Sequence, residues 1–162
     1  DDPAALRAEQ DALLLEVWQA CNKSGHELLL EVILPENGPD KDERHYHTML
    51  EHFYQLGIKP DWWKLPPLSS ASWQQITALI EREDPWSRGI LILGLDAPSD
   101  KLRAGFAEAA AHPMIKGFAV GRTIFGQPSR RWMQGELSDE ALIEEVKRNY
   151  LTLIGYWREA RR

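Results

Sequence analysis

Two charged residues stand where the surrounding sequence is too apolar to welcome them. Lys64 lies in DWWKLPP, and Glu31 lies in HELLLEVILP. Period-two alternation along a strand puts Trp62 and Lys64 on one face and Trp63 and Leu65 on the other. Leu29, Glu31 and Ile33 likewise share a face. A lysine set among bulky apolar residues is costly unless it is paired or neutral. Desolvation favours the neutral amine, and a neutral amine is what a Schiff-base nucleophile needs. The plainer reading is a strand-end lysine that reaches solvent or bridges to a carboxylate. If Glu31 and Lys64 point to the same side of one sheet they can meet, as a general acid–base pair or as a structural ion pair.

A third cluster, Gly121-Arg122-Thr123, follows another apolar run, IKGFAV. Glycine allows close backbone approach, N–H groups at a helix start favour an anion, and a guanidinium fork suits phosphate. An ordinary strand-to-helix turn explains the same three residues about as well. Gly94, after GILIL, offers a second close approach. The five histidines do not suggest a metal centre. His45 and His47 are two apart and diverge on a helix, where zinc pairs need a spacing of four with a third ligand. With His52 on the same helix they read as solvated helix residues, and His26 and His112 as residues of turns and strand starts. Phosphate-loop, dinucleotide-fingerprint, nucleophile-elbow and HExxH motifs are absent from the sequence. No metal or cofactor is expected.

These residues need elements to hold them. Asp2-Pro3 is a good helix opening, with Leu6, Leu13, Leu14, Val17, Trp18 and Cys21 on one face and Gly25 as its stop. Residues 26–35 then read as a strand buried on both sides. A helix starting near Asp42 carries Tyr46, Met49, Leu50, Phe53 and Tyr54, and Gly57 ends it. Residues 61–65 form the second strand, and Ser70 caps a helix with Trp73, Ile76, Leu79 and Ile80. The third strand spans 89–95, followed by a helix capped by Ser99. The fourth spans 115–120. A short helix follows Gly126, and Ser138 caps a final helix lined by Ile143, Val146, Tyr150, Ile154 and Trp157. One helix followed by four strand–helix units implies an α/β fold with a parallel sheet, either a small open sheet or half of an eight-stranded barrel. Either way ligands sit at the C-terminal ends of the strands, which directs attention to residues 31–37, 64–68, 94–98 and 120–125.

Bulk properties set limits. A chain of 162 residues suits one domain, 1–162. Its net charge of −6 opposes nucleic-acid binding. A single cysteine, Cys21, leaves no intramolecular disulfide. No apolar run is long enough to span a membrane. A cytoplasmic setting is expected.

In order and spacing, LLLEVILP, GIKPDWWKLPPL, GILILGLDAPSDKL and IKGFAVGRTIFGQP resemble the aldolase-like C-terminal region of the 5-dehydro-2-deoxygluconokinases of myo-inositol catabolism. That region is in turn similar to the class I tagatose-bisphosphate aldolases. The resemblance spans essentially the whole chain and is sharpest at PDWWK and GFAVGRT. It implies the C-terminal half of a (β/α)8 barrel, with Lys64 matching the Schiff-base lysine of the sixth strand and Glu31 a carboxylate of the fifth. Gly94, Gly121 and Arg122 match the phosphate site after the seventh and eighth strands. The implied reaction cleaves 6-phospho-5-dehydro-2-deoxygluconate, a phosphorylated keto-sugar acid, to dihydroxyacetone phosphate and malonate semialdehyde. The resemblance also implies a longer polypeptide, with the N-terminal barrel half and a sugar-kinase domain ahead of these residues. A half barrel exposes two parallel edges, so association with another copy or with that missing half is expected. Two other readings are a non-catalytic phosphosugar-binding domain on the same scaffold and a free-standing flavodoxin-like module.

Overall fold

Serine and glycine punctuation sets the element boundaries in a computed structural model that describes residues 3–34 and 42–162. The order is α1 (Pro3–Ser24), β1 (Leu29–Glu31), α2 (Arg44–Gln55), β2 (Trp62–Leu65), α3 (Ser70–Glu83), β3 (Gly89–Ile92), α4 (Ser99–Ala110), β4 (Ile115–Phe118), α5 (Arg122–Met133) and α6 (Asp139–Ala160). Gly25 and Gly57 take the positive φ that ends α1 and α2. Ser138 caps α6 by accepting from the Ala141 N–H. The cap of α3 is Ser69, which accepts from Ser72 N–H, one residue earlier than the sequence suggests. Ser99 opens α4 as its first residue, behind Pro98, and makes no side-chain cap. Asp2, and residues 35–37 of the first strand end, lie outside the described residues.

The four strands are all parallel and lie in sequential order, β1-β2-β3-β4. A doubly wound sheet reverses direction at a switch point; this one does not, which removes the flavodoxin-like arrangement. Right-handed crossovers between neighbours taken in sequence keep the helices on one face. Burial agrees. Leu30, Val32, Trp63, Leu65, Ile90, Ile92 and Ile115 join α2, α3, α4 and α6 in one core. On the other face Leu29 and Ile33 are 42% and 49% exposed. β1 is therefore an edge strand buried on one side only, not on both as its apolar run suggests. Its described neighbours cover one face, and nothing among the described residues covers the other.

α1 carries the expected apolar residues but buries none of them fully. Leu14, Leu15 and Trp18 pack on the core, while Leu6, Leu13 and Val17 are exposed. Two polar ties fix the helix: Trp18 Nε1 donates to Lys59 O, and His52 Nε2 lies 2.9 Å from Asp11 Oδ2. His52 thus has a structural partner that its spacing did not reveal, and His45 and His47 are half-buried rather than solvated.

α5 begins at Arg122 and runs through Pro128, instead of starting after Gly126. Proline has no N–H, so the Ile124 carbonyl four residues back loses its helical donor. Asn149 on α6 replaces it, with Nδ2 donating to Ile124 O at 2.8 Å. Asn149→Ala should cost about 1–3 kcal/mol by orphaning that carbonyl. The loss should shrink in a Pro128→Ala background, where the helix supplies its own donor; additive losses in a urea-denaturation cycle would contradict this.

A second tie joins the N-terminal ends of α2 and α3. Glu43 accepts from Ser69 Oγ (2.6 Å), Ser72 Oγ (2.6 Å) and Ser69 N–H (3.0 Å). Partial burial opposes its ionisation, but these hydrogen bonds outweigh it and hold the carboxyl below its ordinary 4.5. A carboxyl whose folded pKa is depressed stabilises above the unfolded value and loses that contribution as pH falls through the folded one. Glu43→Gln should therefore be less stable than the parent at pH 7, with the gap closing below about pH 4.5. A gap independent of pH in thermal melts would refute the tie.

Candidate active site at the strand ends

Parallel pairing places Glu31 directly beside Lys64 in the β1–β2 register. Both point away from the helices, because Leu30, Trp63 and Leu65 on the alternate positions are buried under them. Lys64 Nζ lies 3.0 Å from Glu31 Oε1. The lysine side chain is 21% exposed and the glutamate 37%. The pair is sheltered but wet, so it resembles a surface ion pair in energy, worth about 0–1 kcal/mol. Such a pair does little to hold the fold together, and its ammonium head stays reachable from the open face.

The β3–α4 connection forms the next wall. Gly94 O accepts from Ala97 N–H at 2.8 Å, and the two residues between, Leu95 and Asp96, have φ of 46° and 61°. Positive φ at both central positions is the pattern of a type I′ turn, which favours Asn and Gly. A leucine there costs about 1–2 kcal/mol. The neighbouring connection holds the turn: Thr123 Oγ1 donates to Ala97 O at 2.9 Å. A Cβ on Gly94 would meet Val120 Cγ1 at 2.8 Å and Thr123 Oγ1 at 3.3 Å. Glycine at 94 thus lets two loops pack together, a different service from the close ligand approach suggested by the sequence.

The β4–α5 connection closes the cleft. A bulge at Lys116 shifts the β3–β4 register, so that Ile90 faces Ile115 while Leu91 faces Gly117. It returns Phe118 to the helix side, where its ring stacks on Phe106 with centroids 5.1 Å apart. Gly121 then serves as the N-cap position of α5, without a side-chain cap. The first N–H groups of that helix have no carbonyl four residues back within it. The Arg122 guanidinium makes no ion pair among the described residues.

Glu31, Lys64, Gly94, Gly121 and Arg122, the five residues singled out in the sequence, all line one cleft of about 280 Å³. Asp96 and Phe125 line it as well. Asp96 lies in the stretch 94–98 that the sequence marked, but its type gave no reason to choose it. A larger cleft, about 630 Å³, lies between α1 and α2. There His52 is already held by Asp11, and the cleft adjoins Leu34, the last described residue before position 42. The charged groups that converge at strand ends belong to the smaller one. No group of His, Cys, Asp and Glu suited to a metal ion occurs among the described residues. None of the described helices is long and apolar enough to cross a membrane.

Fold and site define a parallel α/β protein with its charged residues gathered at the C-terminal ends of the strands. Residues 1–161 match the family described as an uncharacterized protein conserved in bacteria, DUF2090, and the chain belongs to that family. No curated protein matches it.

Proposed function

We propose that the chain is the C-terminal half of a (β/α)8 barrel and that it acts as a Schiff-base aldolase on a phosphorylated keto-sugar acid. The barrel reading is supported by four parallel strands in sequential order with helices on one face. In a closed barrel the other face, carrying Lys64, Glu31, Leu29 and Ile33, becomes the interior. The N-terminal half of the barrel and a sugar kinase belong to the same longer polypeptide in this reading, and its edges favour assembly into homo-oligomers. The substrate is 6-phospho-5-dehydro-2-deoxygluconate, by the resemblance carried by PDWWK and GFAVGRT.

The single observation that carries the chemistry is the convergence of Lys64, Glu31 and Arg122 on one strand-end cleft. Lys64 passes its proton to Glu31, and the free amine attacks the C5 ketone to give a carbinolamine, which loses water to form an iminium. Removal of the C3 hydroxyl proton breaks the C3–C4 bond. Its electron pair passes into the iminium as an enamine, and malonate semialdehyde leaves. Protonation at C4 and hydrolysis then release dihydroxyacetone phosphate and return the free lysine. Glu31, 3.0 Å from Nζ, moves protons to and from the carbinolamine or orients the amine. Arg122 and the α5 N-terminus hold the phosphate.

A second reading, a non-catalytic phosphosugar-binding domain, is favoured by the fact that Glu31 already engages Lys64. The full polypeptide, given the keto-sugar acid, separates the two readings. Release of dihydroxyacetone phosphate, followed through its enzymatic reduction with NADH, supports the aldolase. Saturable binding without release supports the binding domain.

A further inference from the structure

The strand-end cleft does not stop at Arg122. Asp96, Arg122 and Thr123 line it from one side, and from the other they line a second hollow of about 220 Å³ between α4, α5 and α6. That hollow runs on to Gln127 and Arg130. Gly126, buried in the middle of α5, faces the gap between Asp96 and Arg130. A glycine inside a helix costs about 1 kcal/mol against alanine. A Cβ there would lie 3.8 Å from Arg130 Nη1, 3.8 Å from Asp96 Oδ1 and 3.5 Å from Arg122 Cβ. These are ordinary contact distances, so alanine would fit, and its methyl would fill the space between a guanidinium and a carboxylate.

Asp96 and Arg130 flank that space without forming an ion pair with each other or with any other described residue. The left-handed turn at Leu95 and Asp96 sets the Asp96 backbone, and both Asp96 and Arg130 are exposed. A carboxylate acceptor and a guanidinium donor fork on either side of one gap match a group that both donates and accepts. Arg130 donates to an oxyanion, and Asp96 accepts from a hydroxyl beside it.

We propose that Asp96, Arg122 and Arg130 form a second subsite for a small hydroxylated oxyanion, a phosphate or carboxylate with a neighbouring hydroxyl. The ligand is either the far end of the molecule that reaches Lys64 or a separate small molecule. The subsite requires no Schiff base, so it stands or falls independently of the lyase reading.

The probe is sn-glycerol 3-phosphate, which has a phosphate and hydroxyls but no carbonyl to react with Lys64. Calorimetric titration of the full chain should show saturable binding. Gly126→Ala and Arg130→Gln should each weaken it at least tenfold. Gly126→Ala should melt no lower than the parent, so its loss of affinity cannot be a loss of fold. Binding unchanged in both variants would place the phosphate at Gly121 alone and overturn the subsite, as would no binding by the parent. Competition distinguishes the two sources. If the probe blocks borohydride trapping of dihydroxyacetone phosphate, and Arg130→Gln relieves the block, the subsite holds the far end of the substrate. Trapping that continues while the probe is bound makes it a separate effector site.

Discussion

Lys64→Ala is expected to lower aldol cleavage at least about 10⁴-fold, the scale on which enzymes lose a covalent nucleophile, while shifting the unfolding free energy by less than about 1 kcal/mol. The two numbers come from different parts of the structure. Among the described residues lining the cleft Lys64 carries the only amine, so in the proposed reaction no described neighbour replaces it. Its ion pair with Glu31 is partly solvated, at 21% and 37% exposure, so water takes over the freed carboxylate at small cost. Lys64→Arg sharpens the test, because arginine keeps the charge and a partner for Glu31 but stays protonated and cannot act as the nucleophile. It should be as inactive as the alanine variant and fold normally. A binding domain held together by this ion pair would behave in the opposite way: Lys64→Arg would retain ligand affinity and Lys64→Ala would lose it.

Trp63→Ala should cost about 3–5 kcal/mol, the range for emptying a large aromatic site in a packed core. Trp63 is fully buried on the helix side of β2. Its ring stacks on Phe53 with centroids 6.3 Å apart and meets the edge of Tyr54 at 5.6 Å. Nε1 donates to the Tyr54 hydroxyl at 3.0 Å. Burial pushes the Tyr54 phenol above its usual range, so this hydroxyl stays neutral and a competent acceptor. Truncation removes packing from two rings and leaves the hydroxyl without that donor. Trp63→Phe should lose less, since most of the volume remains and only the hydrogen bond is forfeited. Trp63 adjoins Lys64 in sequence on the opposite face of β2, so the alanine variant should also lose activity through misplacement of the amine. Urea denaturation checks the stability term. A loss below about 1 kcal/mol would mean that the Trp63 side of the sheet is not the core.

The parts of the site that could be read from the sequence are those set by alternation. In DWWK the period of two separates Trp63 from Lys64, and the structure places one under the helices and the other on the open face. Glu31 could be matched to Lys64 because both interrupt apolar runs, and parallel register makes them neighbours. Alternation fails where exposure depends on what lies beyond the strand. The run around Glu31 is apolar enough for two-sided burial, yet β1 is an edge and its second face is uncovered among the described residues. The start of α5 escaped for a different reason. The sequence places a short helix after Gly126, yet the helix begins at Arg122 and carries Pro128 inside it, where Asn149 supplies the missing donor from α6, a contact 25 residues away in the chain. The left-handed backbone at Leu95 and Asp96 left no trace in residue type, since leucine is a poor choice there. Only its neighbours, Thr123 and the close-packed Gly94, show how it is held.

Borohydride reduction of the full polypeptide in the presence of dihydroxyacetone phosphate, followed by peptide mass mapping, tests the Schiff base most directly. One reduced adduct is expected, on Lys64, and none in Lys64→Arg. No adduct at saturating ligand, or an adduct on a different lysine with Lys64 unmodified, would contradict the proposed role of Lys64.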